Sequence, residues 1–527
     1  MTKIKYIISL AFSVLVMGIG FSACSDDKTV NLPMPPDFID PGLADEDDGV
    51  VEEPTTKAKV KVLFSEENKF QEIDGFGCAI AGWSGRLYTN LKREEVLDRL
   101  FGKDGLNLKF YRGYVCETYA KHGTLDFGWD RKYNLPADHP SLVSDYWSIS
   151  YDIEELGQMW ALDYVRKNFP NVEVLHSSWS PLQMWKSSGN LNNGKLKKEH
   201  YQDYATYIVD FIEGMEKATG SKTSYVSPAN EPNSSSASWA ACGWSAEELT
   251  DFVIDNLRPE LNRRGHQDIS IVIGEHAWWQ NGGTMISNMI KYRPEIVNQN
   301  VIAAGHGYFT GDAKIVPYTD AVKNNLKVWN TETSSTSNYD GSWKDGMNWA
   351  KTFHTYLANG NINSFMWWAG ARPTTNNESL IRLEAEIPGT YYETPEAMRY
   401  YTYGHFTKYI PIGSYRYATE VKVDGEDSSI QNFLDKLLIT AYVDDVNNEY
   451  AIVIVNLDQT VSQDIVFEIE NLGIKNMQKY ESVETYQWKK TKINPSVETS
   501  SRYTTILPYS VTTLKGKLVT NNEIIEE

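Results

Sequence analysis

Residues 223–239 read TSYVSPANEPNSSSASW. The strand-forming opening up to Val226 gives way to Asn230, Glu231 and Pro232, so an amide and a carboxylate stand side by side where proline stops the strand. Outward from this stretch, from about Gly75 to Trp368, short apolar runs alternate with amphipathic helical segments. The runs are GFGCAI at 75, LNLKFYRGYV at 106, VEVLHSSWS at 172, SYVSPANE at 224, ISIVIGE at 269, VIAAGHGYF at 301, LKVWNTET at 326 and NINSFMWW at 361. Between the third and fourth lies KKEHYQDYATYIVDFIEGME, where Tyr204, Ile208, Phe211 and Met215 share one helical face. Eight strands with helices between them predict a (β/α)8 barrel, class α/β. A doubly wound open sheet shares the alternation; the count of eight favours the barrel.

The flanks follow other rules. After Tyr403 the pattern becomes strands alone, as in KLLITAYVDDVNNEYAIVIVNLD, which predicts an all-β sandwich over 404–520. KAKVKVLF alternates Lys59 and Lys61 against Val60, Val62 and Phe64. It cannot belong to a parallel barrel that starts near Gly75, so residues 58–72 are expected to join the C-terminal β module, leaving 73–403 for the barrel. At the N-terminus Lys3 and Lys5 precede a mostly apolar run from Tyr6 to Phe21, too short for a membrane span and read as a signal peptide over 1–23. FSAC ends that run at Cys24. A small residue directly before cysteine resembles a bacterial lipobox, with Cys24 the lipidated first residue of the mature chain. Residues 24–57 are acidic and proline-rich and are expected to be a disordered tether. Acids just after the lipidated cysteine resemble the surface-export signals of Bacteroidota lipoproteins, so the expected location is the outer-membrane surface. Cys78, Cys116 and Cys242 are an odd remainder, which excludes a complete disulfide framework.

Composition narrows the function. The chain has 527 residues, 41% hydrophobic and 23% charged, and fits a large domain plus a smaller one. A formal net charge of -20 argues against a nucleic-acid partner. There is neither a glycine-rich phosphate loop nor Cys/His zinc spacing, so no metal and no cofactor are expected. The 16 Trp and 32 Tyr are more than usual; much of this set is packing, and aromatics beyond core needs often stack on sugars or bases.

In a barrel of this kind the site lies at the C-terminal strand ends. The second strand brings Arg112 and Glu117 there, the third Trp179, the fourth Asn230 and Glu231, and the fifth Glu275, His276, Trp278 and Trp279. The sixth brings His306 and Tyr308, the seventh Glu332, and the eighth Trp367, Trp368 and Arg372. Two carboxylates facing each other across a sugar ring are what glycoside hydrolysis needs. Glu231 and Glu332, on strands four and seven, would face each other so. Asn230 is placed to reach the sugar 2-hydroxyl, Arg112 either to hold Glu332 ionised or to form a buried structural ion pair, and His306 and Tyr308 either to orient Glu332 or to cap strand six. Adjacent strand residues point opposite ways, so of Trp367 and Trp368 one should be a sugar platform and the other core. Trp83, Trp179, Trp278 and Trp279 are further cleft candidates; Glu275 and Glu117 read as structural.

Taken in order, QEIDGFG at 71, SSWSPLQMW at 177, VSPANEPN at 226, GHGYF at 305, VWNTETS at 328, NINSFMWW at 361 and YYTYGHFTKYIPIGSYRY at 400 resemble glycoside hydrolase family 30, a retaining barrel family. The resemblance covers nearly all of the mature chain. It implies Glu231 as acid/base and Glu332 as nucleophile of a β-glycosidase that forms a glycosyl-enzyme. Ala229, Cys78 and Leu182 depart from the family's common residues and touch neither carboxylate. The expected substrate is a xylan-like hemicellulose, with Arg372 near where the glucuronoxylan-specific members read an acidic branch. Other activities of the family are the alternative: glucosylceramidase, β-1,6-glucanase or galactanase, and β-xylosidase. A non-catalytic glycan-binding lipoprotein is the rival of another class, and the intact carboxylate pair counts against it. A monomer is expected.

Overall fold

The computed structural model describes residues 58–81, 87, 90, 92–115, 151–373, 376–383, 397–423, 428–492 and 501–520. The leader, Cys24 and the tether, Trp83, Cys116 and Glu117 lie outside the described residues.

Two strands come first, β1 (Ala58–Val62) and β2 (Lys69–Glu72). The barrel follows with β3 (Gly75–Ala79), β4 (Phe110–Tyr114), β5 (Glu173–Ser177), β6 (Tyr225–Ser227), β7 (Ser270–His276), β8 (Val301–His306), β9 (Val328–Thr333) and β10 (Ser364–Trp367). Neighbours pair in parallel, and β10 pairs with β3 to close the ring. One face of each strand looks into the lumen and the other onto helices, which is why β4, β8 and β9 are buried at every position. The helix Tyr201–Thr219 buries Tyr204, Ile208, Phe211 and Met215 and ends at Gly220, whose φ of 71° lies in the left-handed region glycine favours.

The lumen is filled at its lower level by Phe110, Leu175, Val272, Ile302, Ala304, Trp329 and Met366. Trp329 packs 4.9 Å from Phe110 and 4.7 Å from Tyr225, centroid to centroid. Strand alternation then sends the residues two further along toward the mouth: Arg112, Ser177, His306 and Trp368. Two strands break this rule. On β9, Asn330 pairs with Gly305 but Glu332 pairs with the very next residue of β8, His306. On β7, Ile273 pairs with Ala303 while His276, three on, pairs with Gly305, two on. Each bulge inserts one residue and reverses the alternation. Glu332 and Glu275, which regular alternation would point away from the lumen, are thereby aimed into it.

After β10 a small parallel ladder forms from β11 (Ala371–Pro373) and β12 (Ile381–Leu383). The rest is β13 (Tyr415–Tyr417), β14 (Thr419–Val423), β15 (Leu437–Asp444), β16 (Glu449–Asn456), β17 (Gln463–Ile469), β18 (Leu472–Val483), β19 (Tyr486–Lys492), β20 (Ser501–Ile506) and β21 (Ser510–Thr520). These join β1 and β2 in one eleven-stranded sheet. Strand β1 lies antiparallel to β14 and parallel to β17. Its Ala58, Val60 and Val62 enter the module's core beside Ile454 and Phe467, while Lys59 and Lys61 pair outside with Glu468 and Glu470. The N-terminal strand is therefore part of the C-terminal module.

The helix Met398–Thr407 fastens barrel to sheet. The His405 ring bonds Thr513 at 2.9 Å and Ser482 at 2.8 Å, and burial holds its pKa down to about 3. A Cβ on Gly404 would stand 2.1 Å from the Trp488 ring, so only glycine allows this approach. Cys78 and Cys242 are buried free thiols. Among the described residues no helix is long and apolar enough to cross a membrane.

Candidate active site

Arg112, fully buried on β4, organises the barrel mouth. Its Nη1 donates to Glu332 Oε2 at 2.5 Å, and its Nη2 donates to Asn230 Oδ1 at 2.7 Å and to Glu275 Oε1 at 3.1 Å. The second oxygen of Glu275 accepts from Ser177 Oγ at 2.8 Å. Tyr308 donates its hydroxyl to Glu332 Oε1 at 2.7 Å. His306 lies between the carboxylates, with Nδ1 3.4 Å from Glu231 Oε1 and 3.9 Å from Glu332 Oε1, and Nε2 3.7 Å from Glu275 Oε1. Glu231, His306 and Glu332 each present an atom to a common point, all within 4.8 Å of one another.

The charges follow from these contacts. Burial alone would discharge His306, but Glu332 beside it, the Nδ1 hydrogen bond to Glu231 and the nearby Glu275 charge push it up to about 9, so the ring is a cation at neutral pH. Burial opposes ionisation of Glu275 too. The charges of Arg112 and His306 overcome it and hold that carboxyl well below the usual carboxylate range. Glu332 goes the other way. Its burial raises it, His306 and Arg112 pull it down, Glu231 raises it again, and the balance stays above the ordinary range. Two cations thus face three carboxylates.

Backbone strain marks the same place. Glu231 has φ of 45° and Glu275 of 24°, left-handed conformations that an L side chain rarely adopts. For Glu231 the following Pro232 further restricts the backbone. Residues held like this cost about 1–3 kcal/mol each and cluster at functional sites. The Glu231 amide donates to Glu275 O at 3.1 Å, and the Asn230 amide donates to Ser178 O at 2.8 Å, so both strained positions are pinned by neighbouring chain.

The aromatics sort by depth. Trp179 lies 5.1 Å from the Arg112 guanidinium, with Tyr114 edge-on to it at 5.7 Å and Trp368 at 5.9 Å. Trp368, two positions beyond the lumen residue Met366, stands in this half-buried group at the mouth. Trp367 is corrected as a substrate-binding residue. It points out of the barrel, is fully buried 4.4 Å from Trp349, and donates Nε1 to Glu378 O. Trp279 is likewise core, with no exposed surface, Nε1 on Val316 O, and its ring 4.3 Å from Tyr318. Trp278 is half exposed. Arg372 approaches the Trp368 ring at 5.9 Å but is paired with Glu378 at 3.0 Å, which neutralises the cation expected to meet an acidic branch. Trp83 is outside the described residues. Ser177 and Tyr114 join the site with no motif of their own; alternation from the lumen residues Leu175 and Phe110 places them there.

Comparison with known proteins agrees with this geometry. The Glycosyl hydrolase family 59 model matches residues 144–387. A putative glucosylceramidase 3 of Caenorhabditis elegans is 21% identical over 385 residues, 69% of this chain and 71% of that protein. An endo-1,6-beta-D-glucanase of Neurospora crassa is 22% identical over 366 residues, 65% of this chain and 71% of the relative. The solved glycoside hydrolase family 30 subfamily 8 xylanase of Clostridium acetobutylicum superposes with a TM-score of 0.64 at 21% identity, covering 87% of this chain and 99% of that one. The chain has a glycosyl hydrolase fold of the family 59 and 30 type, and it is a glycosidase.

Proposed function

We propose that this glycosidase retains configuration, with Glu332 as nucleophile and Glu231 as acid/base. The supporting observation is the close approach of the two side chains, an oxygen of each lying within 4.8 Å of the other. Such closeness suits a retaining pair, whose carboxyl groups stand about 5–5.5 Å apart, better than an inverting pair spaced at about 6.5–9.5 Å to admit a water. Glu332 has two close donors, Arg112 and Tyr308, whereas Glu231 has His306 at 3.4 Å. In this reading Glu231 delivers the proton to the leaving oxygen, and Glu332, held by its two donors, attacks the anomeric carbon. Once Glu332 is esterified its charge is gone, and Glu231, having given its proton, takes one from the incoming water. Asn230, its Oδ1 held by Arg112, keeps Nδ2 to donate to a sugar hydroxyl.

For substrate we infer a xylan-like hemicellulose. The xylanase likeness supports the fold that this needs, and the Arg372–Glu378 pair favours a neutral stretch of chain over an acidic branch. The Neurospora relative makes β-1,6-glucan the second reading. Hydrolysis of purified xylan and β-1,6-glucan, with Glu332→Gln and Glu231→Gln as controls, tests both parts. General acid-base work contributes about 10²–10⁴-fold, so each variant should lose at least about a hundredfold. Glu332→Gln at more than about a tenth of wild-type turnover would sink the assignment.

We further propose a lipid anchor at Cys24 and an outer-membrane surface location, supported by the leader and FSAC alone. Cys24→Ala should move the protein out of the membrane fraction.

A further inference from the structure

Beside the catalytic cluster, beyond Tyr308, lies a second cavity of about 310 Å³ between the loops after β8 and β9 and the helix Trp343–Ala358. Tyr308 forms part of its wall while its hydroxyl holds Glu332, so cavity and nucleophile share one side chain. Trp349 and Tyr356 supply aromatic surface, and Ser334 and Thr352 are among the hydroxyls that line it. Phe309 belongs to the same lining, yet it is 86% exposed and held at φ of 53°. A large apolar ring kept in water, on a backbone conformation that costs energy, points to a surface awaiting something.

The lining dictates what that is. None of the described residues lining the cavity carries a charge. Aromatic faces suit the C–H faces of a sugar, and hydroxyls suit its hydroxyls. Pockets that take small ligands begin at about 300 Å³. A uronic acid would bring a carboxylate with no cation in the lining to meet it. Behind the wall Lys351 is already paired at 3.0 Å with Asp312, whose Oδ1 lies 3.5 Å from Thr352 Oγ1. We propose that this cavity is a second sugar subsite, taking an uncharged sugar unit joined to the one being cleaved. It rests on the glycosidase reading, and adds to it a preference for neutral substitution next to the scissile bond.

The test uses the full chain carrying Glu332→Gln, silenced for hydrolysis, titrated calorimetrically with neutral xylo- and gluco-oligosaccharides and with counterparts bearing a uronic acid. Phe309→Ala, safe for folding at so exposed a position, and Thr352→Phe, which fills the cavity, are then added singly. Neutral sugars should bind at least about tenfold tighter than their acidic counterparts, and each added variant should weaken them by about tenfold. Binding unchanged by both variants, tighter binding of the acidic sugars, or no binding at all overturns the subsite. Hydrolysis by the wild type of the same sugars judges the other reading separately. Hydrolysis with variant-indifferent binding removes only the subsite, and variant-sensitive binding without hydrolysis removes only the catalytic assignment.

Discussion

Arg112 Nη1 stands 2.5 Å from Glu332 Oε2, and the other arm of the same guanidinium spans Asn230 and Glu275. One buried cation thus fixes Glu332, the Asn230 amide and the Glu275 carboxylate that Ser177 secures. A lysine ammonium keeps the charge but not the planar fork. Arg112→Lys should fold and lose about a hundredfold in kcat, because a displacement of about 1 Å in a reacting group costs that much. Arg112→Ala leaves buried carboxylates without their cation and should destabilise by about 3–5 kcal/mol, read by denaturant unfolding. An Arg112→Lys protein with wild-type kcat would mean that the fork does not set the geometry.

The two adjacent tryptophans should separate stability from activity. Trp367→Ala empties a closed site between β10 and the helix Trp343–Ala358 and should cost about 3–5 kcal/mol. Trp368→Ala, at the half-buried mouth, should leave the unfolding midpoint nearly in place while kcat/KM falls at least about tenfold. Measuring both quantities on both variants checks the assignment; the reverse pattern would exchange the two roles.

Two pH effects follow from the charges around Glu332. Its carboxyl lies above the ordinary range, and the Tyr308 hydrogen bond opposes that rise. Activity should therefore fall on acidification at a higher pH than an ordinary carboxylate gives, and Tyr308→Phe should move that limb higher still. His306 behaves in the opposite sense for stability. Its folded pKa of about 9 exceeds the unfolded value of about 6.5, so its contribution is complete below about pH 6.5 and disappears as pH rises through 9. Wild-type and His306→Gln melting temperatures should differ most at pH 6 and converge toward pH 9–10.

Much of this is legible in the sequence. The eight strands were visible because parallel barrel strands are continuous apolar runs, and Lys59/Lys61 against Val60/Val62 placed β1 in a sheet with one wet face. Alternation also required Trp367 and Trp368 to part; the lumen position of Met366 decides which is which. The bulges were not legible. Nothing in VWNTET or IVIGEH says that a residue will be added to the ladder, yet that addition turns Glu332 and Glu275 inward. Trp279 reads as a cleft candidate in the sequence, yet is core, for a related reason. It starts the helix Trp279–Tyr292, and its first turn packs against Tyr318, a contact distant in sequence. Arg372 looked available because Glu378, its partner, comes from the far side of a turn.

The central claim is that Glu332 attacks the sugar and Glu231 serves first as acid and then as base. Two displacements at one carbon restore its configuration. Proton NMR of the product, recorded during the first minutes of β-glycan hydrolysis before mutarotation, reads this directly. The account predicts that the β anomer appears first and the α anomer grows in later; an α anomer formed first would mean a single displacement by water, and would remove Glu332 from the nucleophile's role.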